Sequence, residues 1–176
     1  DHGNLFGGVE FYQAAAKKGI KPILGCEMYI QSHGSRLDKT VRRGHEPYHH
    51  LILLAMNQEG YRNLCQLISI GHLEGFYYKP RIDKEVLRRY SKGLIALSGC
   101  LSGEMAEVAL NGGISAAKKV ADEFLQIFED RFYLEVQGHS LPEQLRLNKI
   151  LLELSNTFSI PAVATNDCHY LHRKDA

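Results

Sequence analysis

Residues Ile160–Leu171 read IPAVATNDCHYL. An apolar run, Ile160 to Ala164, breaks off into Thr165, Asn166, Asp167, Cys168 and His169. A strand that is apolar on both faces belongs inside an α/β sheet. In parallel α/β folds, functional side chains gather where strands end and loops begin. Asp167 and His169 are two residues apart, so on an extended backbone both can reach one centre. By the same alternation Cys168 faces the other way, toward outer helices, as a small buried hydrophobe. Taken alone, the pair has a plainer reading: Asp167 caps a turn and His169 is a surface histidine.

Working outward, further runs of strand length occur at Pro22–Ile30, His50–Ala55, Leu94–Ser98, Phe132–Val136 and Pro161–Thr165. Helical patterns lie between most of them. Ala117, Val120, Ala121, Phe124, Leu125 and Phe128 recur at helical spacing, as do Leu147, Ile150, Leu151, Leu154 and Phe158. Asn57 can cap one helix, and Ser140 with Glu143 suggests a capping box for the last. The alternation predicts a mostly parallel α/β sheet or barrel. Gln31–His49 is the exception, being polar, basic and without helical period. With no helix to cross over, its flanking strands are expected to pair as an antiparallel hairpin.

The 176 residues suit one domain, and 44 % hydrophobic with 23 % charged residues can bury a core. A net charge of +1 gives no general electrostatic case for nucleic acid, although Arg36, Lys39, Arg42 and Arg43 form a local basic cluster. No apolar run is long enough to span a membrane. Cys26, Cys65, Cys100 and Cys168 are widely spaced and read as reduced thiols of a cytoplasmic protein. A chain that opens on Asp1 is expected to be a fragment or a processed product. Phosphate-binding glycine motifs are absent.

Other strand ends supply more ligand chemistry. Cys100 follows Leu94–Ser98 and Gly99. Glu27 interrupts Ile23-Leu24-Gly25-Cys26, and a carboxylate inside such a strand is costly unless paired or metal-bound. His50 opens a strand, and the expected hairpin brings it back beside Glu27. His2 precedes a helix in a loop. Each has a bland alternative: Cys100 as a small buried apolar residue, His50 on an exposed edge, Glu27 paired to a lysine. Together His2, Glu27, His50, Cys100, Asp167 and His169 mix imidazole, carboxylate and thiolate. That set suits Zn²⁺, or Mn²⁺, Fe²⁺ or Mg²⁺ where oxygen and nitrogen dominate. It exceeds one tetrahedral site and fits a cluster that activates water against a phosphate ester. His33, His45, His49, His72, His139 and His172 are read as solvated.

The segments DHGNLFGGVEFYQAAAKKGIKPILGCEMYI, HLILLAMNQEGYRNL, EGFYYKPRID, GLIALSGCLSGE, RFYLEVQGHSLPEQ and IPAVATNDCHYL together resemble the polymerase-and-histidinol-phosphatase (PHP) domain. They are most similar to the branch at the amino terminus of bacterial DNA polymerase III alpha subunits, and span nearly all of residues 1–176 apart from the Gln31–Pro47 loop. The resemblance implies a distorted (β/α)7 barrel with a multinuclear metal centre at one mouth. His2 matches the histidine of the family's Asp-His motif, Glu27 its acidic ligand, and His50 the histidine that opens its HLxLLA strand. Cys100 stands where the wider family often has histidine, and Asp167 and His169 match the closing Asp-x-His. Catalysis would fall to His50, Asp167 and His169. The family's first strand, with its His-x-His pair, lies upstream of these residues, so the barrel and its metal site are expected to be incomplete in this fragment. The resemblance also implies DNA 3′ ends, the rest of the alpha subunit and a proofreading exonuclease as partners. Three readings follow: a metal-dependent 3′–5′ exonuclease within the replicative nucleotidyltransferase, a scaffold that braces the polymerase and docks the exonuclease, or a free-standing phosphatase.

Overall fold

The computed structural model describes residues 1–40 and 48–175. The expected hairpin is present. β1 (Gly25–Gln31) and β2 (His49–Ala55) pair antiparallel, with Glu27 opposite Ile52 and Tyr29 opposite His50. Residues two apart share a face of the sheet, so Glu27 and His50 are diagonal neighbours on one face.

The other strands are β3 (Phe76–Tyr77), β4 (Lys79–Asp83), β5 (Leu94–Leu97), β6 (Phe132–Gln137) and β7 (Ala162–Thr165). The seven-stranded sheet has the order β3-β4-β1-β2-β5-β6-β7. β4 is parallel to β1, β5 is antiparallel to β2, and β6 and β7 continue parallel to β5. Strands β1, β4, β5, β6 and β7 therefore run one way, while β2 and β3 run the other. The fold is mixed α/β, with a helix in each crossover.

Those helices are α1 (Gly8–Lys17), α2 (Gln58–Leu73), α3 (Lys84–Arg89), α4 (Glu104–Phe128) and α5 (Pro142–Phe158). Most of the periodic residues do as expected: Ala117, Val120, Ala121, Phe124 and Phe128 of α4 and Leu147, Leu151 and Leu154 of α5 are buried, Leu125 and Ile150 are half-buried, and Phe158 is exposed. Phe124 stacks on Phe132 at 5.1 Å between ring centroids. Burying such a side chain stabilises the fold by roughly 1.5–3 kcal/mol. Asn57 caps α2, its side chain accepting from the Gly60 amide at 2.9 Å. The Ser140–Glu143 capping box does not form: the N-cap of α5 is one residue later, Leu141, and Pro142 opens the first turn. Proline presets the helical φ there and has no N–H to cap.

The β3–β4 ribbon was not anticipated. Its turn residue, Tyr78, has φ 61°, which non-glycine residues rarely adopt. Behind it lies Arg81, fully buried, donating to the carbonyls of Gly75, Arg36 and Asp38. Arg36 is not part of a free cationic patch. Its guanidinium pairs with Asp83 and Glu74, and its amide donates to Asp83 at 2.8 Å. Arg42, Arg43 and His45 lie outside the described residues.

Among the described residues no ladder joins β7 to β3. Even so, the sheet curls strongly. Between β1 and β7 lie four ladder steps, or roughly 19 Å if the sheet were flat at about 4.8 Å per step. Yet His2, bridged to Glu27 of β1, stacks on His169 beyond β7 with ring centroids 6.0 Å apart. Two faces remain open. Ala162 and Ala164 of β7 are exposed, and α1 buries none of its residues.

Candidate metal centre

The curl brings the ends of several strands over one point, the Glu27 carboxylate. The Asp1 carbonyl and the Gly3 amide bond the backbone of Glu27 at 3.0 and 2.8 Å, which fixes His2 beside it. Gly3 has φ +69°, and a Cβ there would lie 2.8 Å from Pro80, so only glycine permits this approach. His2 Nδ1 then lies 2.8 Å from Glu27 Oε1. His50 Nδ1 lies 3.3 Å from the same oxygen.

Cys100 comes from the loop after β5. Gly99 has φ +83° and packs so closely that a Cβ would lie 2.9 Å from the His50 carbonyl. The His50 amide donates to the Ser102 carbonyl at 3.0 Å, so the loop folds back over β2. Cys100 Sγ ends 3.5 Å from His50 Nδ1. Ligand atoms of Glu27, His50 and Cys100 all lie within 4.8 Å of one another. Imidazole, carboxylate and thiol at such spacing form a donor set that fits a divalent ion of the Zn²⁺ type.

Asp167 and His169 form the rim. They follow β7 in irregular backbone, with His169 Nε2 3.2 Å from Asp167 Oδ1. The ladder stops at Thr165, so strand alternation does not extend to Cys168. Cys168 is exposed, not buried among helices. Its amide turns back onto the Asn166 carbonyl at 3.0 Å.

Burial is the main effect lowering the His50 pKa below the ordinary histidine value; Glu27 and Asp167 oppose it, and His2 adds to it. The Cys100 thiol is raised, first by burial and then by the negative charges of Asp167 and Glu27. Asp167 thus acts electrostatically on both groups. Aromatic rings line one side: Tyr29 meets His50 edge-on at 5.4 Å, and Tyr48 stacks parallel to it at 6.2 Å.

Two histidines read as solvated are engaged. His49 is buried, bonded through Nδ1 to Ser32 at 2.9 Å and through Nε2 to Glu107. His72 Nε2 reaches the Gly3 carbonyl at 2.9 Å. Glu135 of β6 was passed over. It is a buried carboxylate directly below the Cys100 and Asp167 loops. The cost of a carboxylate within an apolar strand, applied to Glu27, applies equally to FYLEV and marks it.

A family model for the PHP domain matches residues 1–139. DNA polymerase III subunit alpha of Thermus aquaticus is 49 % identical over 177 residues, covering 100 % of this chain and 14 % of the relative. The same subunit of Borreliella burgdorferi is 46 % identical over 176 residues, covering 100 % of this chain and 15 % of the relative. That of Chlamydia pneumoniae is 44 % identical over 196 residues, covering 99 % and 16 %. The chain therefore spans about one seventh of the length of the curated relatives it matches.

Proposed function

The chain belongs to the PHP family, and from that premise we propose that it is the PHP region of a replicative DNA polymerase III alpha subunit, carrying a divalent-metal phosphoesterase site that acts on DNA 3′ ends. The observation that carries the reading is the convergence of Glu27, His50 and Cys100 within 4.8 Å, in a chain of this family. His2, Asp167 and His169 extend the donor set toward a second ion. Zn²⁺ fits the thiolate and imidazoles, and Mn²⁺ fits the rim.

A divalent ion bound there supplies Lewis-acid activation of a phosphate ester and of water. The chain's own residues supply the rest. Burial keeps His50 neutral and ready to donate its lone pair. Glu27 Oε1 orients the His2 ring and lies beside His50 Nδ1. Asp167 lies beside His169 at the open rim, where substrate would arrive. Residues 140–175 belong to the same unit, because β7 adds to the sheet in register beside β6. The curl of that sheet supports a distorted (β/α)7 barrel.

A second reading, a scaffold within the polymerase, has one observation in its favour. Phe6, Val9, Phe11 and Tyr12, on and beside α1, are exposed, an apolar face suited to packing against other parts of the alpha subunit or its exonuclease partner. Among the described residues no helix is long and apolar enough to cross a membrane, and the proposed role in replication would be carried out in the cytoplasm. A 3′-labelled single-stranded DNA degradation assay on the full-length protein with Zn²⁺ or Mn²⁺ separates the readings. The enzyme reading predicts metal-dependent shortening lost in His169→Ala with DNA synthesis retained. Equal shortening in wild type and His169→Ala, or none in either, favours the scaffold.

A further inference from the structure

We infer that Glu135 is a positioning residue that holds the Cys100 and Asp167 loops at a fixed separation, so that both donors meet the same metal cluster. The inference rests on the metal-centre reading above.

Glu135 lies in the interior of β6 and is 5 % exposed. Among the described residues no lysine or arginine pairs with it. A buried carboxylate without a cation is costly unless its oxygens are satisfied by donors, and here they are. Oε2 accepts from the Gly99 amide at 3.1 Å. Oε1 accepts from the Thr165 hydroxyl at 2.5 Å and from Gln137 Nε2 at 3.3 Å. The Glu135 amide accepts no such role; it donates to Ser98 Oγ at 2.9 Å, which closes the link to β5.

What these partners precede in sequence gives the carboxylate its role. Gly99 is the residue before Cys100, and Thr165 is two before Asp167. One oxygen holds the first loop and the other holds the second. Without this bridge, the backbone hydrogen bonds that place the end of β7 are those of its ladder to β6, since among the described residues no strand pairs with its other edge. An apolar residue could fill the space at lower desolvation cost. The carboxylate ties both loops at once, accepting from Gly99 through one oxygen and from Thr165 through the other.

The test is Co²⁺ titration of the full-length protein, reading the thiolate-to-Co²⁺ charge-transfer band that reports Cys100. Glu135→Gln retains the shape but replaces one acceptor with a donor; Thr165→Val removes only the β7 link. Outer contacts of this kind typically change metal affinity by 10–100-fold. Glu135→Gln is expected to weaken Co²⁺ binding by about that range and to shift the thiolate band, and Thr165→Val to weaken only the second, rim-held ion by about tenfold with the band kept. Leu154→Ala, a core truncation on α5, is the control. It should lower the denaturation midpoint of the metal-free protein without changing Co²⁺ affinity. Wild-type affinity and spectrum in Thr165→Val and Glu135→Gln would overturn the inference alone. So would an equal affinity loss in Leu154→Ala, because metal binding would then merely follow stability. If Glu135→Gln does not fold, Thr165→Val decides the question. A wild-type protein with no thiolate band overturns the metal-centre reading and this inference with it.

Discussion

The two walls of the centre are built differently. Glu27 and His50 project from neighbouring strands whose register fixes them, with side chains 13 % and 21 % exposed. Asp167 and His169 project from irregular backbone past the end of an edge strand, with side chains 34 % and 54 % exposed. A ladder-held donor cannot move without breaking sheet hydrogen bonds. A loop-held donor, tied from below only through the Thr165–Glu135 bond, shifts at lower cost. The inner wall should therefore behave as a preformed, tight ion site, while the rim should bind more weakly and adapt to substrate.

The sharpest way to break this contrast is to remove one donor from each wall. His50→Ala should weaken binding of the tightest ion by about a hundredfold or more, beyond the 10–100-fold typical of outer contacts. Competition against a chromophoric chelator measures it. His169→Ala should leave that ion in place and weaken only the next, by about tenfold, while abolishing any nuclease activity. If His169→Ala strips the protein of metal as fully as His50→Ala, the two walls are not distinct.

Proton release sharpens the contrast further. The folded His50 pKa lies below its ordinary value, so His50 is already neutral near pH 7 and releases no proton when an ion binds. The Cys100 pKa is raised above the ordinary thiol value, so that proton must be displaced. Apparent affinity should then climb by about tenfold per pH unit through the neutral range, and level off above the Cys100 pKa. Cys100→Ala should bind less tightly and lose this slope. Calorimetry in buffers of different ionisation enthalpy counts the proton. The same His50 shift has a sign for stability without metal. Protonating a group whose folded pKa is depressed opposes folding, so its contribution is intact above the ordinary histidine pKa and is lost as pH falls through the folded one.

The smallest effect belongs to Cys168. It is exposed and outside the strand, so Cys168→Ala should leave metal content unchanged and stability within about 0.5 kcal/mol. Loss of metal in this variant, seen by elemental analysis, would place the thiol inside the rim.

Much of the inner wall was legible in the sequence because regular elements obey simple periods. The apolar runs marked β1, β2, β5, β6 and β7, and the missing crossover helix marked the hairpin that carries His50 to Glu27. The failures occur where those periods stop. Alternation was carried from Thr165 into Cys168, but the ladder ends at Thr165, so the thiol faces solvent. In the His49-His50 pair strand alternation turns the two rings to opposite faces. His50 meets Glu27 and His49 meets Glu107. Reading His49 as solvated missed that a doublet in a strand cannot lie on one side. The β3–β4 ribbon was hidden because it depends on the non-glycine left-handed turn at Tyr78 and on the buried Arg81, which no hydrophobic pattern announces.

The central claim is that residues distant in sequence hold metal at one place, tightly at the ladder and loosely at the rim. Crystals of the full-length protein grown with Zn²⁺ test it most directly, through anomalous difference density recorded on both sides of the zinc edge. The predicted result is a strong peak at bonding distance, about 2.0–2.3 Å, from His50, Glu27 and Cys100, with weaker density between that peak and Asp167 and His169. Absence of a peak at Glu27, His50 and Cys100, or a peak held at Asp167 and His169 alone, would contradict it.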